Sequence, residues 1–166
     1  MTHRLRRVSA RPLPAFKDYV EVLAKWLHEL DAWALAITFT IKRHDHRGRP
    51  VNQQVVNKTT RHFMNTLNQA CFGRSKVKKG FTVGFAAAYG WGIYNDHAHM
   101  HVSLTAPKHI SIEMFYDLID RASKACHWID KHRKIERYRD IGWMRYLVNH
   151  GTDQVLLELV RPSHPV

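Results

Sequence analysis

Apolar positions along the chain change period several times, and each change marks an element. After Pro14, Phe16, Tyr19, Val20, Leu23, Leu27 and Leu30 recur at helical spacing, predicting a first helix that ends near Asp31. From Trp33 to Lys42 the pattern alternates. Ile37, Phe39 and Ile41 share one face, and Thr38 and Thr40 the other, as on a strand with one face buried. A polar stretch over 43–53 leads to a second helical pattern from Val55 to Phe72, closed by Gly73, and Arg74 to Lys79 reads as a basic turn. Alternation returns at Phe81, Val83, Phe85 and Ala87, in a strand reading from Gly80 to Tyr94 whose far end, at Gly90 and Gly92, bends, bulges or lets a ligand approach closely. Asn95-Asp96 is a turn signal, so 81–105 reads as a hairpin whose second strand is His97 to Thr105. Pro107 stops that strand, and Ser111 caps a helix bearing Met114, Phe115, Leu118, Ile119 and Ala122. A strand from Trp128 to Arg137, a helix from Arg139 to Asn149 ended by Gly151, and a last short strand from Val155 to Val160 complete the chain.

The order α, β, α, β, β, α, β, α, β predicts an α+β domain: one antiparallel sheet with helices packed on it. Residues 13–160 form that domain, preceded by a basic arm over 1–12 and followed by a polar tail over 161–166. At 166 residues with 45% hydrophobic content, one core of ordinary size is expected. Two cysteines, Cys71 and Cys126, make no disulfide framework and read as buried thiols. No secretory or membrane-spanning segment is evident, so reducing cytoplasm is the expected compartment.

Charge adds a partner. With 26 Lys and Arg against 14 Asp and Glu, the net charge is +12. Such a field attracts polyanions, nucleic acid before a membrane surface, because no segment reads as a cationic amphipathic surface helix. Arg74, Lys76, Lys78 and Lys79 form the most concentrated basic run and are expected to contact phosphates. Trp91, beside the glycines, is a candidate to stack on an unpaired base.

The strongest chemical signal is the segment Asp96-His97-Ala98-His99-Met100-His101-Val102-Ser103-Leu104. On a strand, His97, His99 and His101 point to one face. Closely spaced imidazoles avoid mutual repulsion by binding a cation in their neutral form. Two of them plus a third ligand leave room for a phosphate oxygen, and phosphodiester chemistry favours Mg²⁺ or Mn²⁺.

His99-Met100-His101 followed by Val-Ser-Leu resembles the His-hydrophobic-His motif of the HUH endonucleases: rolling-circle replication initiators, relaxases and related transposases. Ala36-Ile37-Thr38-Phe39-Thr40 resembles their first conserved strand. Trp143-Met144-Arg145-Tyr146-Leu147-Val148-Asn149 resembles the helix that carries the catalytic tyrosine. The three occur in family order across residues 33 to 150, most closely in the style of filamentous-phage and small-plasmid initiators. The resemblance implies a ferredoxin-like HUH fold with the histidines facing the tyrosine helix. It implies site-specific nicking and joining of single-stranded or hairpin origin DNA, with a host replication helicase as a further partner. His99 and His101 would bind the metal, and Tyr146 would attack the scissile phosphate and stay linked to the 5′ end. His97 is the expected third ligand. The family's Lys three residues after the tyrosine is replaced here by Asn149, with His150 next to it as the substitute base or cation. Arg139, Arg137 and Lys134 are further candidates for phosphate contacts. Arg145 is expected to point elsewhere, and Tyr138 is the alternative nucleophile. Two other readings compete: a non-catalytic nucleic-acid-binding module, and a two-histidine phosphoesterase for which His109-Ile110-Ser111-Ile112 is the only echo of a second motif.

Overall fold

A computed structural model describes residues 16–91, 97–149 and 154–163. The arm over 1–12, the Asn95-Asp96 turn, Gly92, His150 and Gly151 lie outside the described residues. Among those described, the elements run α1 (Phe16–Leu30), β1 (Leu35–Ile41), α2 (Gln53–Lys78), β2 (Gly84–Trp91), β3 (Ala98–Thr105), α3 (Ile112–Lys124), β4 (Ile129–Arg137) and α4 (Ile141–Val148). The fold is mixed α+β, as the pattern predicts. Its four strands lie in the order β2-β3-β1-β4, every neighbouring pair antiparallel. The segment β1–α2–β2 brackets β3, and β3–α3–β4 brackets β1. No helix among the described residues is long and apolar enough to cross a membrane.

Strand alternation sends its two sets of side chains to two helical layers. Leu35, Ile37, Phe39 and Ile41 of β1 and Met100, Val102 and Leu104 of β3 pack with Phe63 and Leu67 of α2 and Phe115 and Ile119 of α3. The opposite face receives α1 and α4, through Leu23, Ala24 and Leu27 and through Met144, Leu147 and Val148, against Ala86 and Ala88 of β2. Short residues on β2 let these helices approach closely.

The helix ends follow local chemistry. Asn52 accepts from the Val55 N–H at 3.0 Å to start α2, Ser111 accepts from the Met114 N–H at 3.2 Å to start α3, and Asp140 accepts from the Gly142 N–H at 2.7 Å to start α4. Gly73, at φ 74° and ψ 156°, breaks α2 where the sequence places a stop. The chain then resumes one more helical segment, so Arg74 to Lys78 is helical rather than a turn. Both cysteines are buried and reduced, and burial pushes their thiols up to about 12 for Cys71 and about 11 for Cys126.

Three further expectations are corrected. β2 starts at Gly84, because Val83 N–H is taken by the Asn68 side chain at 2.9 Å instead of a strand partner. Gly90 sits in regular register opposite His99, with no bulge. The last strand is not formed. Val155 and Arg161 make isolated bridges to Ala88 and Phe85 on the outer edge of β2, and a 3₁₀ turn at Leu157–Leu159 separates them. The tail is therefore tied down at its start, where Arg161 bonds Phe85 and Ser163 bonds Asp31.

Candidate active site

His99 and His101 stand on β3 on the face covered by α1 and α4, because Met100 and Val102 take the other face. Their rings are stacked, with centroids 6.3 Å apart and planes at 27°. His101 is only 2% exposed. Register places Thr38 of β1 directly beside it, and the Thr38 hydroxyl lies 3.1 Å from His101 Nδ1. A hydrogen bond to one ring nitrogen orients a histidine for work at the other.

Helix α4 crosses above this pair. Its i, i+3 spacing turns Trp143 and Tyr146 to one side, with ring centroids 5.5 Å apart. Both meet His101 edge-on, Trp143 at 6.0 Å and Tyr146 at 5.0 Å. Ser103, the next same-face residue of β3, accepts a 2.9 Å hydrogen bond from Trp143 Nε1. This bond sets the pitch of the helix over the strand. Tyr146 is 47% exposed and forms part of the wall of two grooves. The larger, about 530 Å³, is floored by Ala36 and Thr38 of β1 and rimmed by Lys134, Glu136, Arg137 and Arg139. The smaller, about 340 Å³, lies toward α1 and includes Glu21, Arg145 and Asn149.

The residues named from sequence therefore separate into groups. His99, His101 and Tyr146 come together, and Lys134, Arg137 and Arg139 line the cleft beside them. Arg145 points away, as expected, and its guanidinium donates to Glu21 at 3.0 Å. Asn149 caps the end of α4 and lines the smaller groove.

His97 is held differently. Its Nε2 lies 2.6 and 3.0 Å from two guanidinium nitrogens of Arg43. Guanidinium has no acceptor, so Nε2 must accept, and that lone pair is not offered to a cation in this arrangement. No group of three His, Cys, Asp or Glu side chains suited to a metal occurs among the described residues. Of the three imidazoles, His99 and His101 are the stacked neighbours, with His101 Nδ1 bonded to Thr38.

Tyr138 stands elsewhere. Its hydroxyl bonds His28 Nδ1 of α1 at 2.7 Å, and its backbone N–H bonds Ala34, just before β1 and four residues from Thr38. Burial, then the carboxylate of Asp140, push its pKa up to about 12, which opposes a nucleophilic role. Trp91 pairs with Ala98 and packs against the α2/α3 core, on the sheet face opposite the histidines. Arg74 to Lys79 forms the last stretch and cap of α2 on that same side and leads to the Gly84 end of β2, whereas His99 lies opposite Gly90 at the other end.

Thr38, Ser103, Trp143, Glu136 and Arg43 were not singled out by sequence. For Thr38 the signal exists in the β1 alternation, but only the register with His101 gives it meaning. Trp143 could have been found as the i−3 neighbour of Tyr146. No family model, curated protein or solved structure matches this chain.

Proposed function

We propose that this protein nicks and rejoins single-stranded DNA through a covalent 5′-phosphotyrosine at Tyr146, in the manner of HUH endonucleases that start rolling-circle replication or mobilisation. The observation that carries the reading is the 5.0 Å approach of the Tyr146 and His101 rings beside an open cleft lined by Lys134, Arg137 and Arg139 together with Glu136 and Asp140. The strand order β2-β3-β1-β4, with two interleaved βαβ units, also suits a ferredoxin-like fold with histidines on a central strand beneath a tyrosine helix.

His99 and His101 would hold Mg²⁺ or Mn²⁺, which when bound offsets the charge that builds on the scissile phosphate. The protein residues supply the rest. Arg137 and Arg139 draw the phosphate backbone to the cleft, beside Lys134 in its 3.0 Å ion pair with Glu136. The Tyr146 oxygen attacks phosphorus, forming a P–O bond to the 5′ phosphate as the bond to the 3′ oxygen breaks. The phenol proton passes to solvent or a nearby base, and the 3′ oxygen leaves as a hydroxyl after taking up a proton. Attack by a later 3′ hydroxyl reverses the exchange.

The test is incubation with pooled single-stranded oligonucleotides and Mn²⁺, followed by a denaturing gel. A covalent adduct is expected with the native protein and none with Tyr146→Phe. An adduct unchanged by that substitution overturns the proposal. Tight binding without any adduct favours the non-catalytic module instead.

A further inference from the structure

We infer that the larger cleft is a slot for one unpaired base of the bound strand, with Trp143 as its stacking wall. The idea rests on the nuclease reading for the identity of the polymer, single-stranded DNA. The slot itself rests on geometry that the reaction does not require.

Trp143 is held rigidly. Its Nε1–H is bonded to Ser103, part of its ring packs against the core beneath α4, and the rest lines the cleft. The floor is made by Ala36 and Thr38, whose short side chains leave depth beneath the ring. A volume of about 530 Å³ falls within the roughly 300–1,000 Å³ of small-ligand pockets and exceeds what one base needs. Arg137 and Arg139 stand on the rim, where the phosphates of a nucleotide inserted base-first would lie, with Lys134 held in an ion pair by Glu136 at 3.0 Å and Asp140 beside them. A flat apolar wall inside and cations outside complement a nucleotide: every base has a π-face, and every phosphate is charged. An acidic peptide would use the rim but not the wall, and an apolar ligand the reverse. Trp143 also touches the His101 ring, which places the slot next to the proposed scissile phosphate. Trp143 is thus a positioning residue: it fixes which linkage of the strand lies beneath Tyr146.

The experiment is metal-free fluorescence anisotropy in EDTA, using a labelled DNA 8-mer and its fully abasic counterpart. The native protein is expected to prefer the intact strand. Trp143→Ala should lose roughly 10-fold in affinity for it and most of that preference, while binding the abasic strand as before. Trp143→Phe, which keeps a smaller ring, should retain an intermediate preference and guards against a folding defect. Arg139→Ala should weaken both strands equally and reduce the salt dependence. An intact-to-abasic ratio that is the same in the native protein, Trp143→Ala and Trp143→Phe overturns the slot. Tighter binding of an RNA 8-mer of the same sequence overturns the DNA assignment. Because no metal or cleavage is involved, failure here is separable from failure of the Tyr146 adduct.

Discussion

The two faces of the sheet are built from the same strands and have opposite characters. Toward α2 and α3, β3 contributes Met100, Val102 and Leu104, all fully buried among Phe39, Phe63 and Phe85. Toward α1 and α4, the same strand contributes His99, His101 and Ser103, and β1 contributes Thr38. The first face is filled by large side chains and stabilises the fold by burial, at about 1.5–3 kcal/mol for each large apolar group. The second is packed beneath α4 through Met144, Leu147 and Val148, with Trp143 partly buried beside them, and opens into a cleft along β1 and β4. The division of labour is clear: one face holds the strands in register so that the other can hold polar groups in fixed positions.

Substitutions on each side probe that contrast. Phe63→Ala removes a fully buried ring that contacts Phe39 and Phe85, and is expected to cost about 3–5 kcal/mol in denaturant unfolding. A loss below about 1 kcal/mol would show that the α2/α3 face is not the main core. Gly84→Ala tests the rim where the two layers meet. An added Cβ would collide with the Asp31 carboxylate and fall 2.5 Å from Thr105 Oγ1, so a loss of about 1–3 kcal/mol is expected from the same unfolding curves. On the polar face, His101→Ala should lower stability by only about 1–2 kcal/mol, through the hydrogen bond to Thr38, yet abolish the Mn²⁺-dependent adduct. A large stability loss instead would recast His101 as a core residue.

The smallest effect lies in the loop that carries Arg43. Burial raises the pKa of Asp45, but hydrogen bonds from the Arg49 and Arg47 backbone N–H groups and the Arg49 guanidinium outweigh it and bring it from 3.8 down to about 2. A depressed carboxylate pKa stabilises the fold above the unfolded value, and that contribution fades as pH falls through the folded one. Asp45→Asn should therefore lower the urea midpoint at pH 7, with the gap closing between about pH 4 and pH 2. A gap independent of pH would assign the effect to lost packing.

Periodicity was enough to locate the four helices and four strands, because apolar side chains recur at helical spacing in the former and at alternate positions in the latter, even where both faces of a strand are buried as in β2. The β1 alternation separated Thr38 from Phe39, and Ser111 marked its helix through a local bond. What escaped depends on pairing across the chain. Trp91 and His99 are both near the same hairpin end, but Trp91 pairs with Ala98 and so faces the other way. The basic run after Gly73 carries charge without direction, and only the path of α2 takes it away from the histidines. Val155 to Val160 has strand composition, yet it meets β2 through an isolated bridge at Val155, with a second just beyond it at Arg161, and not through a ladder. The three imidazoles look equivalent along the sequence; the guanidinium of Arg43, reached from a distant loop, distinguishes His97 from its neighbours.

The outer margin of β2 has a consequence for self-association. That strand, Gly84–Trp91, carries no charged residue, and the segment through Val155 and Arg161 shields its free backbone groups. The opposite margin, β4, is studded with Lys131, Arg133, Lys134 and Arg137, which repel a like strand. Trimming the chain before Val155 would bare an uncharged strand edge with free backbone groups, and the shortened protein should polymerise edge to edge where the full chain stays dispersed.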